Sequence, residues 1–288
     1  MKLYNILAGT LLVMNLIATT DENRHFNEYS EYPNKSDVRD CQDCINEEMV
    51  RHLIDNAPEN IKTLIAKIKK QKNGESKYDK QRFQAVVTLI GETGTGKTVL
   101  AKAIAQECNV PFVVVHGAGL GNMYQNSTES NLLRQVDEAR ARNENFSIVI
   151  LDMIEGCIDN DLPHTLGVSH VLCNLIDKAA DDGDTLFIIT ADSLDRLPQR
   201  LQRRVIPTAI KMDLPNQDQK EKAIAYYMAK EMEDGSITHT NMIDMAKYCK
   251  NCSYRDMEGL AMDACDTLSI NKKITTEFIK ENVKKYMR

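Results

Sequence analysis

Proline, glycine and cysteine are all scarce in this sequence. Its 288 residues include seven prolines and 13 glycines, too few for a collagen-like or low-complexity chain. Eight cysteines are far fewer than a small disulfide-stapled scaffold would carry. Basic residues are in the minority, and the net charge of −6 argues against binding of DNA or RNA through bulk charge. The composition therefore favours a globular protein of intracellular type, either an enzyme or a nucleotide-driven switch.

A long hydrophobic run is missing as well. The apolar stretch at residues 6–18 is interrupted by Asn15 and is shorter than the roughly 20 residues needed to span a bilayer. It follows Lys2 and ends in small residues, which is the layout of a secretory signal peptide. We therefore interpret residues 1–20 as a signal peptide. An uncleaved anchor that contacts the membrane through residues 3–20, or a buried first helix, are the alternatives.

The rest of the chain divides into three parts by pattern. Residues 21–48 are polar and predict a linker. Residues 49–211 alternate helical stretches with apolar, β-prone runs, which predicts an α/β domain with a doubly wound parallel sheet. Residues 212–288 are helical throughout and predict a small all-helical domain. The β-prone runs are 85–90, 110–115, 147–152 and 185–190.

A glycine-rich segment, GETGTGKT at 91–98, follows the first of these strands and precedes a helix-forming stretch. Strand, glycine loop and helix in that order are the context that a phosphate-binding P-loop requires. The glycines let backbone N–H groups converge on phosphate oxygens at the positive end of the helix. Lys97 can then reach the β- and γ-phosphates, and the Thr98 hydroxyl can bind Mg²⁺. The predicted nucleotide contacts are Gly91, Glu92, Thr93, Gly94, Thr95, Gly96, Lys97, Thr98 and Val99.

Acidic residues stand at the ends of two later strands. Asp152 closes one apolar run, and Asp192 comes shortly after another. Because ligands bind at the carboxyl ends of parallel strands, we expect both carboxylates near the glycine loop. An apolar strand that ends in an acid is also typical of the Walker-B motif, whose acid helps to hold Mg²⁺. The sequence therefore predicts a Mg²⁺ site at Thr98 and Asp152.

With these motifs in order, residues of about 50 to 285 resemble an AAA+ ATPase, and more closely the group that remodels proteins. The likeness covers the glycine loop with its helix, MYQNSTESNLLRQVDEAR, ILDMIEG, LPQRLQRRVIPTAIKMDLP and CSYRDMEGLAMDA. The resemblance implies ATP and Mg²⁺ as cofactors, a helical lid over the nucleotide, a ring of identical subunits and a protein substrate. No DNA-binding appendage is recognisable, so nucleic acid is not an expected partner.

The resemblance also implies roles for individual residues. Asp192 takes the sensor-1 position, where the family usually has Asn. Arg203 or Arg204 corresponds to the arginine finger that reaches the γ-phosphate in a neighbouring subunit, and Arg255 stands at the sensor-2 position. Tyr124 corresponds to the aromatic residue that grips substrate in the central pore. Solvated or ion-paired arginines and a packed loop tyrosine are the structural alternatives.

One departure from the family concerns hydrolysis. Met153 stands where the family has a Glu that polarises the attacking water, and a thioether cannot accept a proton. Glu155 and Glu92 are the candidate substitutes. The alternatives are therefore an ATPase with a substitute carboxylate, and a hydrolysis-deficient switch or scaffold of the same fold.

The leader adds a further alternative, an exported interaction protein that keeps the fold and acts by its surface. If the protein carries such a leader and is a working ATPase, its ATPase domain must have access to ATP. Either the protein is exported into a compartment that contains ATP, or its N-terminus is anchored in a membrane with the ATPase domain on the side that contains ATP.

Two cysteine pairs have the spacing of zinc ligands or of a local disulfide. They are Cys41 with Cys44 and Cys249 with Cys252. Because about 200 residues separate the pairs, we interpret them as separate, ordinary cysteines, with a four-thiolate zinc site as the alternative.

Overall fold

The computed structural model describes residues 44–74, 83–117, 127–142, 146–156, 158, 166–195, 197–229, 237–269 and 274–286. The leader at 1–20, nearly all of the predicted linker, Cys41 and Tyr124 lie outside these ranges. The interpretations placed on them therefore stay predictions.

A parallel sheet of five strands forms the centre of the larger part of the described chain. The strands are β1 (Val86–Ile90), β2 (Phe112–His116), β3 (Ser147–Asp152), β4 (Thr185–Ala191) and β5 (Ala209–Lys211). Their order across the sheet is β2-β3-β4-β1-β5, and every described pairing is parallel. The predicted α/β architecture is confirmed.

The three central strands are rich in valine, isoleucine and leucine because both of their faces are covered. Every residue of β3 and β4 is buried, as is normal for strands with helices on both sides of a parallel sheet. In the register, Ile90 of β1 pairs with Ala191 of β4, and Asp152 of β3 pairs with His116 of β2. The carboxyl ends of four strands therefore lie side by side at one edge.

Six helices among the described residues accompany the sheet. They are α1 (Glu47–Asp55), α2 (Glu59–Lys72), α3 (Lys97–Glu107), α4 (Ser127–Arg142), α5 (Leu166–Asp182) and α6 (Gln199–Val205). Helices α4, α5 and α6 bury their apolar residues against β3 and β4, and Leu132, Leu172, Leu201 and Phe187 meet there. These contacts hold the connecting helices on the strands whose ends form the site.

Helices α1 and α2 pack next to α3, the helix that follows the glycine loop. Gln106 of α3 exchanges hydrogen bonds of 2.8 and 2.9 Å with the backbone of Ile45. Lys69 of α2 forms an ion pair with Glu107 at 2.7 Å. The C-terminal end of α3 therefore contacts α2 and the residues just before α1. These contacts stabilise the helix that carries Lys97 and Thr98.

Backbone proximity divides the chain into two compact units. Residues 97–211 and the described residues between 44 and 91 belong to one, while Glu92–Gly96 group with Met212–Arg288 in the other. The second unit contains the helices α7 (Gln217–Tyr227), α8 (His239–Tyr248), α9 (Tyr254–Ser269) and α10 (Thr276–Tyr286). Reciprocal capping boxes begin α7 and α8, and buried residues including Ile224, Met245, Leu260 and Val283 form its core.

Across the described ranges, none of the helices has the length and apolar character that a bilayer crossing requires. Residues 1–20 lie outside those ranges.

Replacement of Phe187 should strongly destabilise the sheet unit. The ring is fully buried in β4, so Phe187→Ala leaves a cavity and is expected to cost about 3–5 kcal/mol of unfolding free energy. Leu133→Ala is the matched control, since Leu133 is 40% exposed on α4 and should change stability by about 0.5 kcal/mol or less. Urea unfolding followed by circular dichroism measures both, and equal losses would contradict the described core.

Candidate nucleotide-binding site

The glycine loop forms a tight turn between the end of β1 and the start of α3. Gly94 and Gly96 have φ values of 88° and 86°, in the left-handed region that favours glycine. The N–H and the hydroxyl of Thr95 both donate to the carbonyl of Glu92, at 3.3 and 2.8 Å. Helix α3 begins at Lys97, directly after Gly96 in the chain.

Gly94 is required by its neighbours as well as by its backbone angles. A Cβ at this position would lie 2.4 Å from the Ser253 hydroxyl oxygen and 3.2 Å from the Arg255 Cβ. The Gly94 carbonyl accepts the N–H of Tyr254 at 3.0 Å. The N–H and the hydroxyl of Ser253 both donate to the Asp256 carboxylate. The start of α9 therefore contacts Gly94. Arg255, the predicted sensor-2 residue, lies at this contact.

Lys97 is buried and holds two oxygen partners. Its ammonium donates to the Gly91 carbonyl and to Asp192 Oδ1, each at 2.7 Å. Asp192, which follows β4, is 46% exposed in its side chain. Lys97, the predicted phosphate-binding cation, is thus directly paired with Asp192, which the family resemblance places at the sensor-1 position.

Asp152 is buried at the end of β3 with both carboxylate oxygens engaged. Oδ1 accepts from the hydroxyls of Thr98 and Thr190 at 2.5 and 2.7 Å, and Oδ2 lies 3.2 Å from His116 Nδ1. Burial opposes ionisation, but the hydrogen bonds from His116, Thr98 and Thr190 outweigh it and lower the pKa of Asp152 to about 2. The carboxylate is therefore charged at neutral pH and ready to bind a cation together with Thr98.

His116 and Thr190 are site residues that the sequence reasoning missed. Each lies at the carboxyl end of a strand, His116 on β2 and Thr190 on β4, next to the end of β3. The same rule that selected Asp152 and Asp192 would have found them if it had been applied to every polar residue at a strand end.

Met153 and Glu155 follow Asp152 in a short turn. Met153 has a φ of 50°, is 53% exposed, and donates its N–H to the Thr190 hydroxyl at 2.9 Å. The Glu155 carboxylate accepts the backbone N–H groups of Asp192 and Ser193, the latter at 3.2 Å. Glu155 is therefore bound to the backbone at the end of β4, while the other substitute suggested by the sequence, Glu92, lies in the glycine loop.

The two arginines of α6 have different surroundings. Arg204 forms a two-pronged ion pair with Asp177 of α5, at 3.1 and 2.5 Å, and also donates to the Arg200 carbonyl. The hydrogen bonds to Asp177 raise the pKa of Arg204 above its ordinary value. Arg203 is exposed. Arg204 thus joins α6 to α5, and Arg203 faces the solvent.

The other predicted loop residues are described by their burial and backbone contacts. Thr93 and Val99 are half-buried, and the Gly91 N–H donates to the Ala191 carbonyl at 3.3 Å, next to Asp192. Cys249 and Cys252 are buried in the core of the helical unit. Within the described ranges, no three or more His, Cys, Asp or Glu side chains are grouped to hold a metal ion.

The family model of the ATPase family associated with various cellular activities (AAA) matches residues 87–214. That range runs from β1 through β5 and includes Lys97, Asp152 and Asp192. Residues 87–214 are therefore similar to an AAA domain. Individual proteins similar to the AAA domain and its flanks include the peroxisomal ATPase pex6 of Schizosaccharomyces pombe, which is 30% identical over 206 residues, 66% of this chain. The proteasome-activating nucleotidase of Sulfurisphaera tokodaii is 30% identical over 171 residues, 56% of this chain.

A third relative is spastin of Anopheles gambiae, 25% identical over 182 residues, 61% of this chain. The alignments cover 21% of the length of pex6, 43% of the nucleotidase and 22% of spastin. The chain thus spans less than half the length of each of these relatives, and the likeness concerns the AAA domain more than the whole proteins.

Substitution of Gly94 tests the described loop. Gly94→Ala places a Cβ against Ser253 and forces alanine into the left-handed region, so the affinity for an ATP analogue should fall at least about tenfold. Fluorescence titration with the analogue and magnesium measures this. Gly74→Ala is the control, because Gly74 has a similar φ of 67° with open space around it. A Gly94→Ala protein that binds like the Gly74→Ala protein would contradict the loop geometry.

Proposed function

We propose that this chain binds Mg·ATP, hydrolyses it and uses the energy to remodel protein substrates as a ring of identical subunits. The observation that carries the proposal is the convergence of Lys97, Thr98, Asp152 and Asp192 beside a glycine loop at the carboxyl edge of a parallel sheet. The similar proteins include a peroxisomal ATPase and a proteasome-activating nucleotidase, which supports an ATP-driven role on proteins.

The residues at the edge of the sheet fit Mg²⁺. The Thr98 hydroxyl oxygen and a carboxylate oxygen of Asp152 lie 2.5 Å apart, and oxygen atoms of this kind are the ligands that Mg²⁺ prefers. These two residues would hold the ion, which supplies charge neutralisation for the phosphate groups. Thr190 and His116 orient the Asp152 carboxylate from the neighbouring strands, as outer partners of metal ligands commonly do.

The ion pair of Lys97 with Asp192 suggests what happens when the nucleotide arrives. The ammonium needs a negatively charged partner because it is buried, and the Asp192 carboxylate is such a partner. A triphosphate would offer stronger, multiple contacts to the same ammonium and to the N–H groups of the loop. Binding of the triphosphate would therefore replace Asp192 as the partner of Lys97.

Arg203 is the better candidate for the arginine that reaches a neighbouring subunit. Arg204 is already engaged by Asp177 within its own chain, whereas Arg203 is exposed on the same helix. An arginine of this kind stabilises the charge that develops on the transferred phosphoryl group and is worth about 10³–10⁵-fold in rate in other NTPases.

A hydrolysis-deficient switch or scaffold is the second candidate function, and Met153 favours it. Its exposed thioether occupies the position that follows the Walker-B acid, and Glu155 is bound to backbone N–H groups. Binding of ATP without release of phosphate would distinguish the switch from the ATPase.

The location of the protein remains a proposal that rests on the leader at 1–20. We propose either export or N-terminal anchoring, with the AAA domain in a compartment that contains ATP. Mass spectrometry of the mature N-terminus, combined with cell fractionation, separates a cleaved leader from a retained anchor. A retained leader in a fraction without membranes would overturn both readings.

Replacement of Lys97 should weaken nucleotide binding. Lys97→Ala removes the ammonium that lies beside the loop, so the affinity for ATP is expected to fall at least about tenfold, and phosphate release with it. Lys178→Ala is the control, since Lys178 is an exposed lysine on α5. Isothermal titration with Mg·ATP gives the affinities, and wild-type affinity in the Lys97→Ala protein would contradict the proposed function.

Mixtures of variants test whether Arg203 acts between subunits. Arg203→Ala should lower kcat by about 10³-fold or more without loss of ATP affinity, and Arg204→Ala should chiefly lower the melting temperature. Adding Lys97→Ala protein to Arg203→Ala protein should restore part of the activity, because one variant keeps the arginine and the other keeps the lysine. No recovery across a range of mixing ratios would count against an arginine shared between subunits.

A further inference from the structure

Hydrolysis of ATP needs a group that accepts the proton of the attacking water. Once Met153 is set aside, the candidates are Glu92 in the glycine loop and three carboxylates at the carboxyl ends of β3 and β4. The three are Asp152, Glu155 and Asp192. Asp152 is excluded by its contacts, because one oxygen accepts two hydroxyls and the other faces His116.

Glu155 is excluded by what it binds. Its Oε1 atom accepts the backbone N–H groups of Asp192 and Ser193, so moving the carboxylate towards a phosphate would leave both donors without their described acceptor. These bonds fix the backbone of Asp192 itself. Glu155 is therefore a positioning residue for Asp192.

Asp192 has the location that a base requires. Its Oδ1 atom lies 2.7 Å from the ammonium of Lys97, the group that a P-loop directs to the β- and γ-phosphates. Its side chain is 46% exposed, so water can reach it. An asparagine could orient water by hydrogen bonds at this position, but it could not accept a proton, whereas a carboxylate can do both.

We propose that Asp192 is the general base of this ATPase and replaces the carboxylate that Met153 lacks. The inference rests on the proposed function, since it assigns a role within ATP hydrolysis. The water oxygen forms a bond to the γ-phosphorus while its proton passes to the Asp192 carboxylate. The bond between the γ-phosphorus and the β–γ bridging oxygen breaks, and its electron pair leaves on ADP. Lys97 balances the negative charge that Asp192 brings near the phosphates.

The decisive experiment compares Asp192→Asn with the double variant Met153→Glu/Asp192→Asn. Asp192→Asn gives the chain the residue that the family usually has at sensor 1, so a water-orienting role alone predicts that activity survives. The base role predicts a fall in the single-turnover rate of about 10²–10⁴-fold with ATP affinity within about threefold of wild type. The double variant moves the carboxylate to the position after Asp152 and should regain at least a tenth of the wild-type rate.

Further variants control for folding and for local charge. Asp195→Asn removes an exposed carboxylate three residues along the chain, whose described contact is the Ser193 hydroxyl, and should leave the rate unchanged. Formate added to Asp192→Ala protein should restore part of the lost rate by supplying the missing carboxylate, and it should not restore Lys97→Ala. Rescue of this kind separates a chemical role from a merely structural one.

The outcomes distinguish this inference from the proposed function. Wild-type protein that binds no Mg·ATP overturns both. Wild-type protein that binds ATP but releases no phosphate, or Asp192→Asn protein that keeps a third or more of the wild-type rate, overturns the inference and leaves nucleotide binding intact. Loss of activity in Asp192→Asn that neither formate on Asp192→Ala nor Met153→Glu restores also overturns it, because Asp192 would then act through structure.

Discussion

The parallel register of the central strands is the constraint on which the rest of the site depends. Strands β1, β3 and β4 end at the same edge, so residues far apart in sequence arrive together there. Lys97 follows β1, Asp152 ends β3 and Asp192 follows β4. A slip of one residue in any of these pairings would turn alternate side chains to the opposite face of the sheet and separate the groups.

Two networks around aspartate carboxylates share this edge, and they are built differently. Asp152 is surrounded by hydrogen-bond donors that hold it ionised, namely two threonine hydroxyls and a histidine. Asp192 instead has a direct cationic partner in Lys97 and greater exposure. A carboxylate held by several hydrogen-bond donors suits the binding of a metal ion, whereas one held by a lysine that phosphate can attract away suits a change of partner. This difference underlies the separate roles proposed for the two acids.

Much of the fold could be predicted from the sequence, because the buried strands are continuous apolar runs and the glycine loop has a specific pattern. Lys97, Thr98, Asp152 and Asp192 were found by their positions after those runs. Contacts that depend on tertiary placement could not be found in this way. Attachment of Glu155 to the backbone after β4 is an example, and so is the choice between Arg203 and Arg204, which depends on an acid in a different helix.

The ion pair between Arg204 and Asp177 has a consequence for its neighbour. Because it fastens α6 to α5 at a point one residue away, the backbone that carries Arg203 has little conformational freedom left to lose. When an exposed arginine on a rigid helix binds a partner, the conformational entropy that is lost is mainly that of its side chain. Arg204 thus fixes the helix, and Arg203 next to it can bind a partner at a lower entropic cost.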